Sequence, residues 1–344
     1  MTAAQLDYTV DELLANVEVA EPLIAGGVRC HGGFSSDGTY VSPRTKHRLP
    51  AIRAWQAKHR ADFGTDLLDV GLDTWPQNYP SVAQSRLLLD HGVREPIVSS
   101  LTRIGTVEGF GAMIRLSVIP DLQACFDESI AGTAMSHLPG LYEAHARDEA
   151  GFEDEGGHKQ MWFAARDIAF EHPVTEDETD LMLQRMGIAA PGGGPGPAAV
   201  PERVFDDLDA DLELLIIRMV RLLLIEISAF HTFAWAEELL DDSSRVAGEG
   251  EASRLVSYIR ADETPHVEYL KTVLSEMRDR TFLTTSGRRR AGTEVIGTIW
   301  DRMLADSLGP RRALGVKQTD DEVAHALAGR RDADELMAQF HALA

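Results

Sequence analysis

Two stretches of this chain carry the same short pattern of residues that bind metals. "FEDEGGHKQ" contains Asp154, Glu155 and His158, and "RADETPHVEY" contains Asp262, Glu263 and His266. Both read Asp-Glu-x-x-His. Residues three apart share one face of a helix, so each motif can aim a carboxylate oxygen and an imidazole nitrogen at one point. A single match says little. Two matches on separate helices describe a site with mixed oxygen and nitrogen ligands, which suits iron or manganese, and the lack of clustered thiolates argues against structural zinc.

Two more glutamates sit where an unpaired carboxylate is costly. Glu226 is flanked at helical spacing by Met219, Leu222, Leu223, Ala229, Phe230 and Phe233, and Glu263 lies in line with Val256, Ile259, Val267 and Leu270. A carboxylate on so apolar a stripe must be neutralised, paired or bound to a cation. A fourth helix should add one carboxylate. Glu108, facing Leu101, Ile104, Gly105, Gly111 and Ala112, is preferred over its rival Glu128, which has little helix between it and Pro120. Gly156 and Gly157 are unexpected inside a helix, where each costs roughly 1 kcal/mol relative to alanine. The preferred reading is that they leave room beside the metals; the alternative is that the helix breaks there and His158 belongs to a loop.

The elements that must position these residues are long amphipathic helices, read at about 94–118, 140–170, 203–241 and 251–279. Period-two strand patterns are nearly absent, so the fold class is all-α, with an antiparallel four-helix core. The chain divides into an N-terminal extension (1–93), the bundle (94–280, with a Pro/Gly-rich linker at 190–202) and a C-terminal helical extension (281–344). The segment "RCHGGFSSDGTYVSPR" reads as turns. His31, His47, His59 and His91 read as surface or structural residues, Glu143 and His145 as solvated helix positions, and His231 and Trp162 as packing residues.

One carboxylate, then Glu-x-x-His, then one carboxylate, then Glu-x-x-His, in that order on four helices, resembles the ferritin-like non-haem diiron carboxylate oxidases and oxygenases. The resemblance spans about residues 94–280. It implies Glu108, Glu155, His158, Glu226, Glu263 and His266 as ligands to two metal ions, iron first and manganese as the alternative. Asp154 and Asp262 would then accept hydrogen bonds from ligand imidazoles. It further implies dioxygen as co-substrate, electrons from an external reductase or ferredoxin, and a small organic substrate that is hydroxylated, N-oxygenated or desaturated. Trp162 stands where ribonucleotide reductase small subunits carry a radical tyrosine. Ile259 stands where the p-aminobenzoate N-oxygenase group adds a third histidine. Two other readings stay open: a non-catalytic, ferroxidase-type iron-handling bundle, and a bundle whose inward carboxylates pair with Arg115, Arg218 or Arg260 and hold no metal.

The bulk composition narrows the partners. The 344 residues carry a net charge of −22, which disfavours nucleic acid and anionic membrane surfaces. Arg218, Arg221 and Glu226 interrupt the most apolar run, so it reads as a buried helix and not a membrane span. Cys30 and Cys125 have no metal-finger or redox spacing, and the N-terminus carries no apolar export signal. A cytoplasmic enzyme, compatible with a homodimer, is the expectation.

Overall fold

The computed structural model describes residues 5–69, 71–171, 174–185 and 202–344. Nearly all of the linker read at 190–202 lies outside them. The chain is mostly helical. In order, the helices are α1 (Val10–Leu14), α2 (Arg48–Phe63), α3 (Val82–Asp90), α4 (Glu95–Gly111), α5 (Leu122–Cys125), α6 (Leu138–Ala150), α7 (His158–Phe170), α8 (Glu176–Arg185), α9 (Ala210–Leu240), α10 (Glu251–Asp262), α11 (Thr264–Arg278), α12 (Gly292–Asp306), α13 (Arg312–Leu327) and α14 (Ala333–Ala342). The strands are β1 (Glu21–Ala25), β2 (Val28–Phe34), β3 (Tyr40–Val41), β4 (Thr281–Leu283) and β5 (Arg289–Ala291).

Six helices surround the candidate site. α4 packs on α6 and α7, α7 on α10, α10 and α11 on α9, and α6 on α11. The longest, α9, begins where the Asp209 side chain accepts from the backbone of Asp211 and Leu212, satisfying donors left open at a helix start. Its Leu/Ile-rich first half joins one apolar cluster with α11, α12 and the start of α6. Its second half, from Phe233, joins another with α4, α7 and α10. Glu226 lies between the two, so the polar residues of the site occupy the junction of two dry cores.

Two of the expected helices are broken. The helix read at 140–170 stops at Ala150 and restarts at His158. Gly151 turns the chain with a φ of +81°, a conformation that favours glycine. The break is held by β2, since His31 N–H donates to the Gly156 carbonyl (3.0 Å) and Gly156 N–H donates to the Arg29 carbonyl (2.8 Å). The helix read at 251–279 is interrupted at Glu263, where Pro265 supplies no N–H to continue the ladder.

The turn-rich segment near residues 29–44 is instead part of an antiparallel sheet of order β1-β2-β3, with a register shift between Pro22 and Ile24. Its glycines and polar residues hide the alternation that marks a strand. At the other end, α12 runs through a π turn (Ser307–Arg311) into α13, which packs on α4.

Candidate metal centre

Seven side chains from five helices meet at the junction. α4 gives Glu108, α6 gives His145 and Glu149, α7 gives His158, and α9 gives Glu226. Glu263, at the joint of α10 and α11, and His266 on α11 complete the set. They form two overlapping groups, His145–Glu149–Glu226–His266 and Glu108–Glu149–His158–Glu263, and within each the candidate ligand atoms lie within 4.8 Å of one another. Glu149 belongs to both. Gly111 of α4 makes the approach feasible, because a Cβ there would stand 2.6 Å from the Glu149 side chain.

The distances match donors arranged around shared cations. Glu149 Oε1 lies 3.3 Å from His145 Nε2, 3.3 Å from His266 Nδ1 and 3.5 Å from His158 Nδ1. His145 Nε2 is 3.3 Å from Glu226 Oε1. His158 Nδ1 is 3.0 Å from Glu263 Oε1 and 3.8 Å from Glu108 Oε2. Oxygen and nitrogen atoms bound at about 2.0–2.2 Å to one ion stand about 3.0–3.4 Å apart around it. The shortest contact is that of His266 Nδ1 with Glu263 Oε2, a direct hydrogen bond at 2.6 Å.

Two imidazoles are held by a hydrogen bond at the outward nitrogen, and the third has a carboxylate nearby. His266 Nε2 lies 2.9 Å from Asp148 Oδ2, His145 Nδ1 lies 3.0 Å from the Tyr269 hydroxyl, and His158 Nε2 lies 3.5 Å from Asp262 Oδ2. Such contacts leave the inward nitrogens to face carboxylate oxygens. His145 Nε2, His158 Nδ1, Glu149 Oε1 and Glu263 Oε1 are all buried without a hydrogen-bond partner. Unpartnered buried polar atoms of this kind leave places where an ion or ordered water could bind.

Electrostatics states the same demand. Burial, then the charges of Glu108 and Glu263, push the Glu149 carboxyl well above its usual range. Burial followed by Glu263 raises Glu226 to about 7, and burial raises Glu263 to about 6. Burial opposes charge on His158, yet Glu263 and Glu149 outweigh it and hold that imidazole well above its usual range. Burial and then His266 depress His145 to about 4. Without metal, protons stand where cations would. Two divalent ions would balance the charge of four glutamates, while Asp148 is matched outside the cluster by Arg44 (2.9 Å) and Arg48 (2.7 Å). Asp262 accepts from the Tyr40 hydroxyl (2.8 Å) and lies 3.6 Å from His31, so β2, β3 and α2 all support the centre.

Of the residues expected from sequence, Glu108, His158, Glu226, Glu263 and His266 converge, and Asp262 lies beside a ligand imidazole, that of His158. Two expectations are corrected. Glu155 is not in the cluster: it lies in the 151–157 break and pairs with exposed Arg29 at 3.2 Å. Asp154 is exposed in the same loop and supports no imidazole. Their places are taken by Glu149 and Asp148, a third Asp-Glu pair in "HARDEAG".

The glycines also act differently from the preferred reading. A Cβ on Gly157 would meet the backbone of Gly151 at 2.3 Å and the Asp148 carbonyl at 2.5 Å, so this glycine permits a tight chain crossing and not space beside the ions. Glu128, the rival to Glu108, instead accepts from Thr281 N–H and Oγ1 at 2.8 and 2.9 Å.

His145, read as a solvated helix position, is fully buried in the cluster, and His31, 2 % exposed beside Asp262, takes the structural of its two readings. His231 bonds the Leu72 carbonyl at 2.9 Å, away from the centre. The arginine-pairing alternative finds no support. Arg115 pairs with Glu143 and Arg260 with Glu237, and among the described residues no lysine or arginine forms an ion pair with the four glutamates.

Access is one-sided. The Glu108 side chain is 13 % exposed, against 3 % for Glu149, 7 % for Glu226 and 1 % for Glu263. Glu108 lines a cavity of about 420 Å³ between α4, α9, the π turn and the segment 75–79. Among the described residues, no helix is long and apolar enough to cross a membrane. Comparison of the chain with protein-family models, with curated proteins and with solved structures returns no match.

Proposed function

We propose that the cluster holds two divalent cations, iron in the working protein, and that the chain is an oxygen-dependent non-haem diiron oxidase or oxygenase built on a ferritin-like bundle. The observation carrying this reading is the convergence of three imidazoles and four glutamates, with His145 Nε2, His158 Nδ1, Glu149 Oε1 and Glu263 Oε1 buried and unpartnered among them. His145, Glu149, Glu226 and His266 would hold one ion, and Glu108, Glu149, His158 and Glu263 the other. The third imidazole that Ile259 does not offer comes from α6 as His145. Two ferrous ions, when bound, supply electrons and Lewis acidity for the reduction of dioxygen.

The chain's own residues supply placement and exclusion. Asp148, Tyr269 and Asp262 orient the imidazoles, and the two apolar clusters keep water from the junction. The cavity brings a small organic molecule to Glu108, the ligand nearest solvent. A cavity with aromatic and aliphatic walls favours catalysis on such a molecule over iron storage, which needs none. Further electrons would come from a separate reductase or ferredoxin.

The test is an anaerobic ferrous titration followed by oxygen exposure. Binding near two irons per chain, with oxygen consumed on mixing, is the expected result. No retained iron after reconstitution would sink the proposal, and iron oxidation unaffected by any cavity-filling substitution would favour the storage reading.

A further inference from the structure

The lining of the cavity carries a charge opposite to that of the protein. In a chain of net charge −22, Arg103, Arg311, Arg312 and His231 line this space, and among the described residues Glu108, at the metal side, is its only carboxylate. Arg103 is engaged by Glu322 at 3.5 Å and Arg311 by Asp306. Arg312 has no carboxylate partner among the described residues. Its Nη1 donates to the Gln77 carbonyl at 3.3 Å, across from α13 to the segment 75–79, which leaves the rest of the guanidinium fork open. Ile104, Leu224, Ala229 and Phe233 give the lining an apolar wall.

We infer that the cavity binds a small amphipathic carboxylate, its acid group on Arg312 and its apolar body lying toward Glu108. A planar guanidinium with free donors matches a carboxylate bidentately, and one unpaired cation suits one negative charge better than a phosphate dianion. The exposed anchor would fix which carbon of the body faces the metals, because a carboxylate is costly to bury against the apolar wall. This inference rests on the proposed function only in taking Glu108 as the metal-side end of the cavity.

The experiment titrates 4-phenylbutyrate and its neutral analogue 4-phenylbutanamide into the full chain, chelated and Mn(II)-loaded, by calorimetry and by tryptophan fluorescence, since Trp75 lines the cavity. The carboxylate should bind about ten- to a hundredfold more tightly than the amide, the range of a charge-assisted hydrogen bond. R312Q, at an exposed position, should bring the two to near parity. A229F should weaken both by filling the apolar wall, with its melting curve confirming the fold. Equal binding of acid and amide, an unchanged preference in R312Q, or no binding of either would overturn the inference. Metal content measured on the same samples decides the metal reading separately: a chain that binds two metals but no carboxylate loses only this inference, and one that binds carboxylate but no metal loses only the proposed function.

Discussion

Raising the pH of the metal-free protein should destabilise it, and bound metal should cancel that loss. Glu226 has a folded pKa raised to about 7 from 4.5, so the folded state holds a proton that the unfolded chain releases between those values. Its contribution is fully present below pH 4.5 and disappears as pH rises through 7. Glu149, raised well above 4.5, and His158, raised well above 6.5, act with the same sign up to higher pH. His145, depressed to about 4, acts with the opposite sign between pH 4 and 6.5 and offsets them there. The clear window is therefore pH 6.5 to 8, where each proton held only by the folded state costs about 1.4 kcal/mol per pH unit. One such group gives about 2 kcal/mol across the window, and two give about 4. The assay is urea denaturation at pH 6.5, 7, 7.5 and 8, comparing chelated protein with protein in excess Mn(II). The difference between the two should widen with pH, because the ions replace those protons. A difference that stays flat or narrows would refute the assignment of these groups to one cation-demanding cluster.

Other substitutions divide along the same geometry. Glu149→Ala should abolish loading at both ions, whereas Glu155→Ala should leave metal content unchanged in elemental analysis; the reverse would restore the simple Glu-x-x-His reading. Asp148→Asn leaves Arg44 and Arg48 buried without their shared carboxylate, so the metal-free protein should lose about 3–5 kcal/mol in denaturant, and metal affinity should fall about 10- to 100-fold. Gly157→Ala forces a Cβ against backbone atoms and should cost about 1–3 kcal/mol, while Gly315→Ala, on α13 with open space around it, should gain about 0.5–1 kcal/mol.

The helical class and five of the seven clustering residues were legible because apolar periodicity and inward glutamates are local signals. Glu226 and Glu263 betray themselves by lying on stripes that should be aliphatic. The other two, His145 and Glu149, were hidden by a coincidence of spacing. Asp154, Glu155 and His158 satisfy the same template as Asp262, Glu263 and His266, yet local spacing cannot tell whether the intervening backbone is helical. A usable sign was present: Asp148 and Glu149 form another Asp-Glu pair, and His145 precedes Glu149 by four residues, one turn away on the same face. The supports His31, Tyr40, Arg44 and Arg48 had no local signature. Their roles arise from a sheet whose strands are short and glycine-containing, and from contacts more than 100 residues apart in sequence, such as Arg44 with Asp148 and Tyr40 with Asp262.

The break between Ala150 and His158 has a physical consequence of its own. In an unbroken helix Glu149 and His158 would stand nine residues apart, roughly 13 Å along the axis, too far to share an ion. By leaving the helix at Gly151 and re-entering at His158, the chain sets the last turn of α6 and the first residue of α7 against the same cluster. An anion in the last turn of a helix opposes the helix dipole, and a protonated imidazole in a first turn does so as well. Glu149 and His158 occupy those two positions. Cations beside Glu149 would offset its charge at the end of α6. The turn geometry would thus favour a metal-bound Glu149, and β2 holds it through backbone bonds to Gly156. Sequence changes in the N-terminal sheet should therefore alter metal affinity without touching a ligand, and Cys30, whose thiol lies against Gly156, is the position at which a bulkier residue would show this first.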